Sequence, residues 1–175
     1  MKRALFVIDM QNICIGKNHA NFFKYDRDKI ITTVNERIRE YECENVFYIC
    51  QVMKNNFINK FAPVKAFSGS PEARIAEDVM VVSDNIIIKY KGDAFSNPEL
   101  KRILDEKNVN EIEFVGLDGG GCVAQTAFGA LKNNYNVFIN EAAVETMFIK
   151  KAEKYKNILL YKGAEFINKK VHTCV

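Results

Sequence analysis

The chain has 175 residues, 48% of them hydrophobic, and a net charge of +3 from 25 basic and 22 acidic side chains. This suits one domain, spanning 1–175, with a full hydrophobic core. The charge is too mild, and too free of basic runs interleaved with aromatics, for nucleic acid. No apolar run is long enough to span a membrane. Five irregularly spaced cysteines without a C-x-x-C pair argue against a disulfide framework or zinc cluster. They point instead to a reducing, cytoplasmic compartment.

Taken in order, residues 3–9 (RALFVID) read as a buried parallel strand. Asp9 falls at its carboxyl end, where a partly desolvated carboxylate suits a general base. Residues 12–25 read as a loop whose aromatics, Phe22, Phe23 and Tyr25, either wall a pocket or simply pack. Residues 26–41 have helical apolar spacing with an aspartate cap, and 45–52 (NVFYICQV) form a second buried strand. A long segment, 53–83, carries few regular signals beyond a short helix over 72–79. Residues 85–89 (NIIIK) form a third strand ending at Lys89, with Lys91 a competing cation close by. Asn97 caps a helix with Pro98 at its first position, running to about Lys107.

The stretch that organises the chain is EFVGLDGGGCVAQTAFGAL, residues 113–131. A strand over 111–116 gives way to a glycine-rich turn. Cys122 then opens a helix whose apolar side holds Val123, Ala127, Ala130 and Leu131. Unpaired helix amides favour a thiolate there. A fifth strand spans 136–140, a long helix 144–162, and a short last strand 164–167, with 157–161 as the alternative strand. Lys150, Lys151, Lys154 and Lys156 read as a solvated helix face. His172 and Cys174 fall in a terminal tail.

Strand and helix alternate throughout, which predicts a Rossmann-like three-layer α/β/α sandwich with a six-stranded, mostly parallel sheet in the order 3-2-1-4-5-6. That order brings Asp9 and the Cys122 turn together at the switch point and requires Lys89 to reach back from the outer third strand. An acid, a cation and a thiol then converge, a nucleophilic acyl-transfer site without histidine. Taken singly, each residue has a plainer reading: Asp9 as a cap, Lys89 in water, Cys122 as a buried structural cysteine.

Three segments, ALFVIDMQN, KYKGDAF and GLDGGGCVAQTAFGALKNNYNVFI, resemble the isochorismatase-like cysteine hydrolase family, in order and over nearly the whole chain. By that resemblance Asp9, Lys89 and Cys122 match the family's catalytic aspartate, lysine and cysteine. It also implies a cis peptide at Leu117–Asp118 and an oxyanion held by the amides of Asp118 and Cys122. The implied activity is hydrolysis of a C–N, amide-type bond of a small molecule through a cysteine thioester. Gln11, Phe22, Phe57, Tyr90 and Phe95 are the candidates for substrate contacts, and the family's habit of assembly implies a homo-oligomer, a dimer or tetramer.

Two departures matter. Gly119, Gly120 and Gly121 stand where members often carry threonine or serine and aspartate, which predicts a looser oxyanion turn. QVMKNNF has no histidine where the zinc-using branch binds metal, so neither a metal nor another cofactor is expected. Three alternatives stay open: cleavage of isochorismate's vinyl ether, a non-catalytic binding member, and GLDGGG as a phosphate-binding nest. The last lacks the P-loop lysine and the dinucleotide spacing.

Overall fold

The computed structural model describes residues 1–54 and 65–168. Six strands form one sheet: β1 (Arg3–Ile8), β2 (Val46–Gln51), β3 (Ile86–Lys89), β4 (Glu111–Leu117), β5 (Asn136–Glu145) and β6 (Glu165–Ile167). Their order is β3-β2-β1-β4-β5-β6. Every neighbouring pair is parallel, as the alternation of strand and helix predicts. The helices are α1 (Asn12–Ile15), α2 (Arg27–Ile38), α3 (Pro98–Glu106), α4 (Cys122–Lys132) and α5 (Ile149–Tyr161).

Period-two alternation sends each strand's side chains to two cores. Ala4, Phe6 and Ile8 of β1 join Phe47, Ile49, Ile112 and Phe114 beneath α3 and α4. Leu5 and Val7 join Val46, Tyr48 and Val115 against Ile30, Val34 and Ile38 of α2. Both faces are therefore covered, which is why β1 and β2 are apolar without interruption.

Beyond shifts of one to three residues at the ends of α2 and β4, four expectations differ from the structure. Residues 12–15 make a short helix inside the expected loop. The helix expected over 72–79 is only a 3-10 turn at Pro71–Ala73, because Asn12 N–H and Ala76 N–H pair with Arg74 and Met10 carbonyls and draw the chain into an extended path. The strand expected to stop at Asn140 runs to Glu145 through a register shift opposite Phe114 and Gly116, pairing Leu117 with Glu145. The long helix expected from Val144 therefore starts at Ile149, and residues 157–161, the alternative strand, lie within it.

β4 also buries a charge. Glu113 is fully buried. Its carboxylate accepts from Arg37 Nε and Nη2 at 2.6 and 2.8 Å, Tyr41 Oη at 2.8 Å and Asn140 Nδ2 at 3.0 Å. Burial pushes its pKa up, but those bonds and the Arg37 charge overcome it and hold the carboxyl below the usual range. The network ties α2 to the sheet centre.

Candidate active site

The carboxyl ends of β1, β2, β3 and β4 deliver the candidate residues to one crevice, the position where open α/β sheets bind ligands. Asp9 follows β1 with φ of 50°, in the left-handed region, while its N–H bonds Ile49 O at 2.8 Å. The chain thus turns off the strand and lays the carboxylate across β2. Lys89 closes β3, two inter-strand spacings from β1, roughly 10 Å. Its side chain reaches back over β2 to put Nζ 3.0 Å from Asp9 Oδ2. Lys89 is fully buried and Asp9 nearly so. Burial pulls the Lys89 ammonium down, but its partners, the Asp9 carboxylate first, outweigh this and hold it above its ordinary value. The competing Lys91 is exposed.

Cys122 is the first residue of α4 and half-buried. The chain reaches it through two positions that demand glycine. Gly116 has φ of 104°, and a Cβ there would lie 2.3 Å from Ile8 O. At Gly120 a Cβ would lie 2.7 Å from Phe148 O and 3.0 Å from Ala152 N. The Leu117–Asp118 peptide is cis.

The glycine turn is braced, not loose. Asp118 is buried, and its carboxylate accepts from Gly120 N at 2.7 Å, Thr146 Oγ1 at 2.9 Å, Met147 N at 2.6 Å and Tyr25 Oη at 3.2 Å. One side chain thereby joins the turn to the N-terminal loop and to the β5–α5 connection. Gly119 N–H adds a bond to Glu145 O at 3.1 Å, which the extension of β5 makes possible. The Cys122 amide lies in the first helical turn, where no intrahelical acceptor exists.

The surroundings of Cys122 work against the thiolate expected at the helix start. Burial first, then the Asp9 charge, push the Cys122 thiol up to about 12, against a smaller lowering by Lys89. The site therefore rests with an aspartate–lysine ion pair beside a neutral thiol.

Sequence reasoning missed Gln51. It ends β2, and its Oε1 accepts from both Lys89 Nζ at 2.7 Å and Cys122 Sγ at 3.1 Å. The signal was present: a polar residue ending a buried strand, as with Asp9 and Lys89. Gln11, expected to meet substrate, is 1% exposed and committed to its neighbours. Its Nε2 donates to Gln51 O at 3.0 Å and Ala73 O at 2.7 Å, and its Oε1 accepts from Gln51 N at 2.9 Å.

The expected aromatic contacts scatter. Phe95 packs into the core against Phe6 and Tyr135, because the 3-10 turn at Ala94–Ser96 folds it inward. Phe22 is exposed and meets Phe23 edge-on. Tyr90 rims a cavity of about 580 Å³ over the ends of β2 and β3, lined also by Gln51, Lys54, Lys89 and Lys91. Phe57 lies outside the described residues.

The isochorismatase domain model matches residues 3–168. The chain belongs to the isochorismatase family. Solved structures with the same fold include the zinc-bound pyrazinamidase of Pyrococcus horikoshii, at 24% identity over 97% of this chain and 100% of that one, with a TM-score of 0.83. The N-carbamoylsarcosine amidase of Thermoplasma acidophilum matches at 21% identity over 98% and 99%, TM-score 0.80. An isochorismatase-like hydrolase of Alkaliphilus metalliredigens matches at 22% over 95% and 93%, TM-score 0.80. No curated protein sequence matches the chain significantly.

Zinc in one of these relatives raises the question of metal here. Residues 53–64, the segment after β2, contain no histidine, cysteine, aspartate or glutamate. Among the described residues, no three such side chains form a group able to hold a metal ion. The donor set does not fit a zinc centre. Among the described residues, no helix is long and apolar enough to cross a membrane.

Proposed function

We propose that this isochorismatase-family hydrolase cleaves a small-molecule amide or related C–N bond through a thioester on Cys122. The observation that carries the reading is a single buried cluster: the Lys89–Asp9 pair at 3.0 Å, joined through Gln51 to Cys122 Sγ. The amidase relatives support the bond class.

In this mechanism the thiol of Cys122 attacks the carbonyl carbon as Asp9 takes its proton. The charge on Lys89 stabilises the sulfur as it becomes anionic. The amides of Asp118 and Cys122 receive the developing oxyanion, and each such donor contributes on the order of 10²–10³ in rate. The C–N bond then breaks, and Asp9 returns its proton to the leaving ammonia or amine. Water, deprotonated by Asp9, attacks the thioester and releases the acid and the free thiol. A neutral resting thiol suits this order, because a base of matched position moves the proton in the step that needs it.

The test is a panel of small primary amides and carbamoyl compounds, scored by ammonia release, with acyl-enzyme trapped by intact mass. Wild type should turn over at least one compound and gain the acyl mass at Cys122; Cys122→Ala should lose both. Retained hydrolysis in Cys122→Ala would remove the thioester. Failure of the wild type on every compound of the panel would favour the second reading, vinyl-ether hydrolysis, which the matched domain's description makes the natural competitor.

A further inference from the structure

Gln51 touches all three members of the cluster. Its backbone N–H donates to Asp9 Oδ1 at 3.0 Å, and its Oε1 accepts from Lys89 Nζ at 2.7 Å and Cys122 Sγ at 3.1 Å. Chemistry fixes the carboxamide's orientation. An ammonium only donates, so the oxygen faces Lys89, and the Cys122 thiol has that oxygen and the Asp9 carboxylate as its two acceptors. Gln11 fixes the backbone of Gln51 from both sides, giving to its carbonyl at 3.0 Å and taking from its N–H at 2.9 Å.

We propose that Gln51 is a positioning residue that holds Cys122 as a protonated thiol until substrate arrives, by presenting the sulfur with an acceptor that Lys89 keeps turned toward it. A thiolate in that place would face carbonyl lone pairs. Turning the carboxamide over would offer the sulfur an N–H but aim the other N–H group at the Lys89 ammonium. Both arrangements penalise the anion. The other groups facing the sulfur divide: Asp9 opposes a thiolate by its charge and by accepting the thiol's hydrogen, and Lys89 favours one by its charge and by a hydrogen bond of its own. The neighbouring Cys14 on α1 is itself buried and held as a thiol, chiefly by burial. The consequence is a nucleophile shielded from stray electrophiles, whose proton passes to Asp9 only when a carbonyl engages the sulfur. The inference rests on the nucleophilic role given to Cys122 above.

Its test reads the sulfur, not turnover. The full chain and two variants, Gln51→Met and Gln51→Glu, are alkylated with iodoacetamide between pH 6 and 9, and each cysteine is followed by peptide mapping. Gln51→Met removes the acceptor at similar length, and labelling of Cys122 at pH 7 should rise about tenfold, the effect of a one-unit change in thiol ionisation. Gln51→Glu places a negative charge on the same acceptor and should label more slowly than wild type. Cys14 and Cys50 should stay unlabelled in both. A Met variant no faster than wild type, a Glu variant faster than wild type, or labelling of Cys14 and Cys50 alongside Cys122 overturns the proposal, the last by showing a loosened core. Absence of amide turnover in the wild type would instead strike the functional reading and leave this ordering of rates readable.

Discussion

Gly120→Ala tests whether the triple glycine is a packing requirement. The new Cβ would sit 2.7 Å from Phe148 O and 3.0 Å from Ala152 N, both backbone atoms at the start of α5. Ordinary contact begins near 3.4 Å, so α5 and the turn must part by several tenths of an ångström. The bond from Ala152 N to Phe148 O at 2.8 Å holds the two contact atoms in one helical turn, so neither yields alone. Overpacking of this kind costs about 1–3 kcal/mol, which at about 2–4 °C per kcal/mol for a chain of this size lowers Tm by roughly 2–12 °C. Gly119→Ala is the control, since its nearest contacts are the Val144 and Thr146 side chains at 3.2 and 3.4 Å, which can give way. Displacing the turn also moves the amides proposed to hold the oxyanion, and a misplacement near 1 Å costs about 10²-fold in kcat. Thermal unfolding and turnover of the best amide from the panel measure the two effects. A Gly120→Ala protein that melts and turns over like Gly119→Ala would refute the reasoning.

The remaining predictions concern charge. Asp9→Asn should abolish turnover yet speed alkylation of Cys122 at neutral pH, because the Asp9 charge raises that thiol; Lys89→Met should slow alkylation, because Lys89 lowers it. Equal signs for the two would break the electrostatic account. Arg37→Met strips two bonds from the buried Glu113 carboxylate and should cost about 3–5 kcal/mol in urea unfolding. Adding Glu113→Leu should recover much of that loss, and simple additivity would disprove the coupling. The Glu113 carboxyl is held below its usual value in the folded chain. It therefore contributes stability that is fully present above about pH 4.3, the unfolded value, and is lost as pH falls through the folded one. Unfolding midpoints across pH 3–6 should show that loss, and Glu113→Gln should flatten it.

Much of the architecture is determined by sequence alone, because its causes are local. Uninterrupted apolar runs mark β1 and β2, a cap and proline mark the start of α3, and glycines flank the turn into α4. Strand–helix alternation then restricts the sheet to a few orders, one of which places Asp9 beside the Cys122 turn. Asp9 and Lys89 stand out because each ends an apolar strand, and Cys122 because it opens a helix after a glycine turn. Gln51 carries the same mark, but a glutamine has no titratable group to draw notice, and only the reach of Lys89 across β2 reveals what it does. Gln11 and Phe95 looked like substrate contacts since sequence gives no direction to a side chain; their hydrogen bonds and ring contacts turn them inward. The tertiary structure also decided the extent of β5, because pairing with Leu117 outweighs the helical pattern that begins at Val144. It set the protonation of Cys122 for the same reason. Desolvation and neighbouring charge depend on what chain distance does not encode, and here burial and the Asp9 charge raise the thiol.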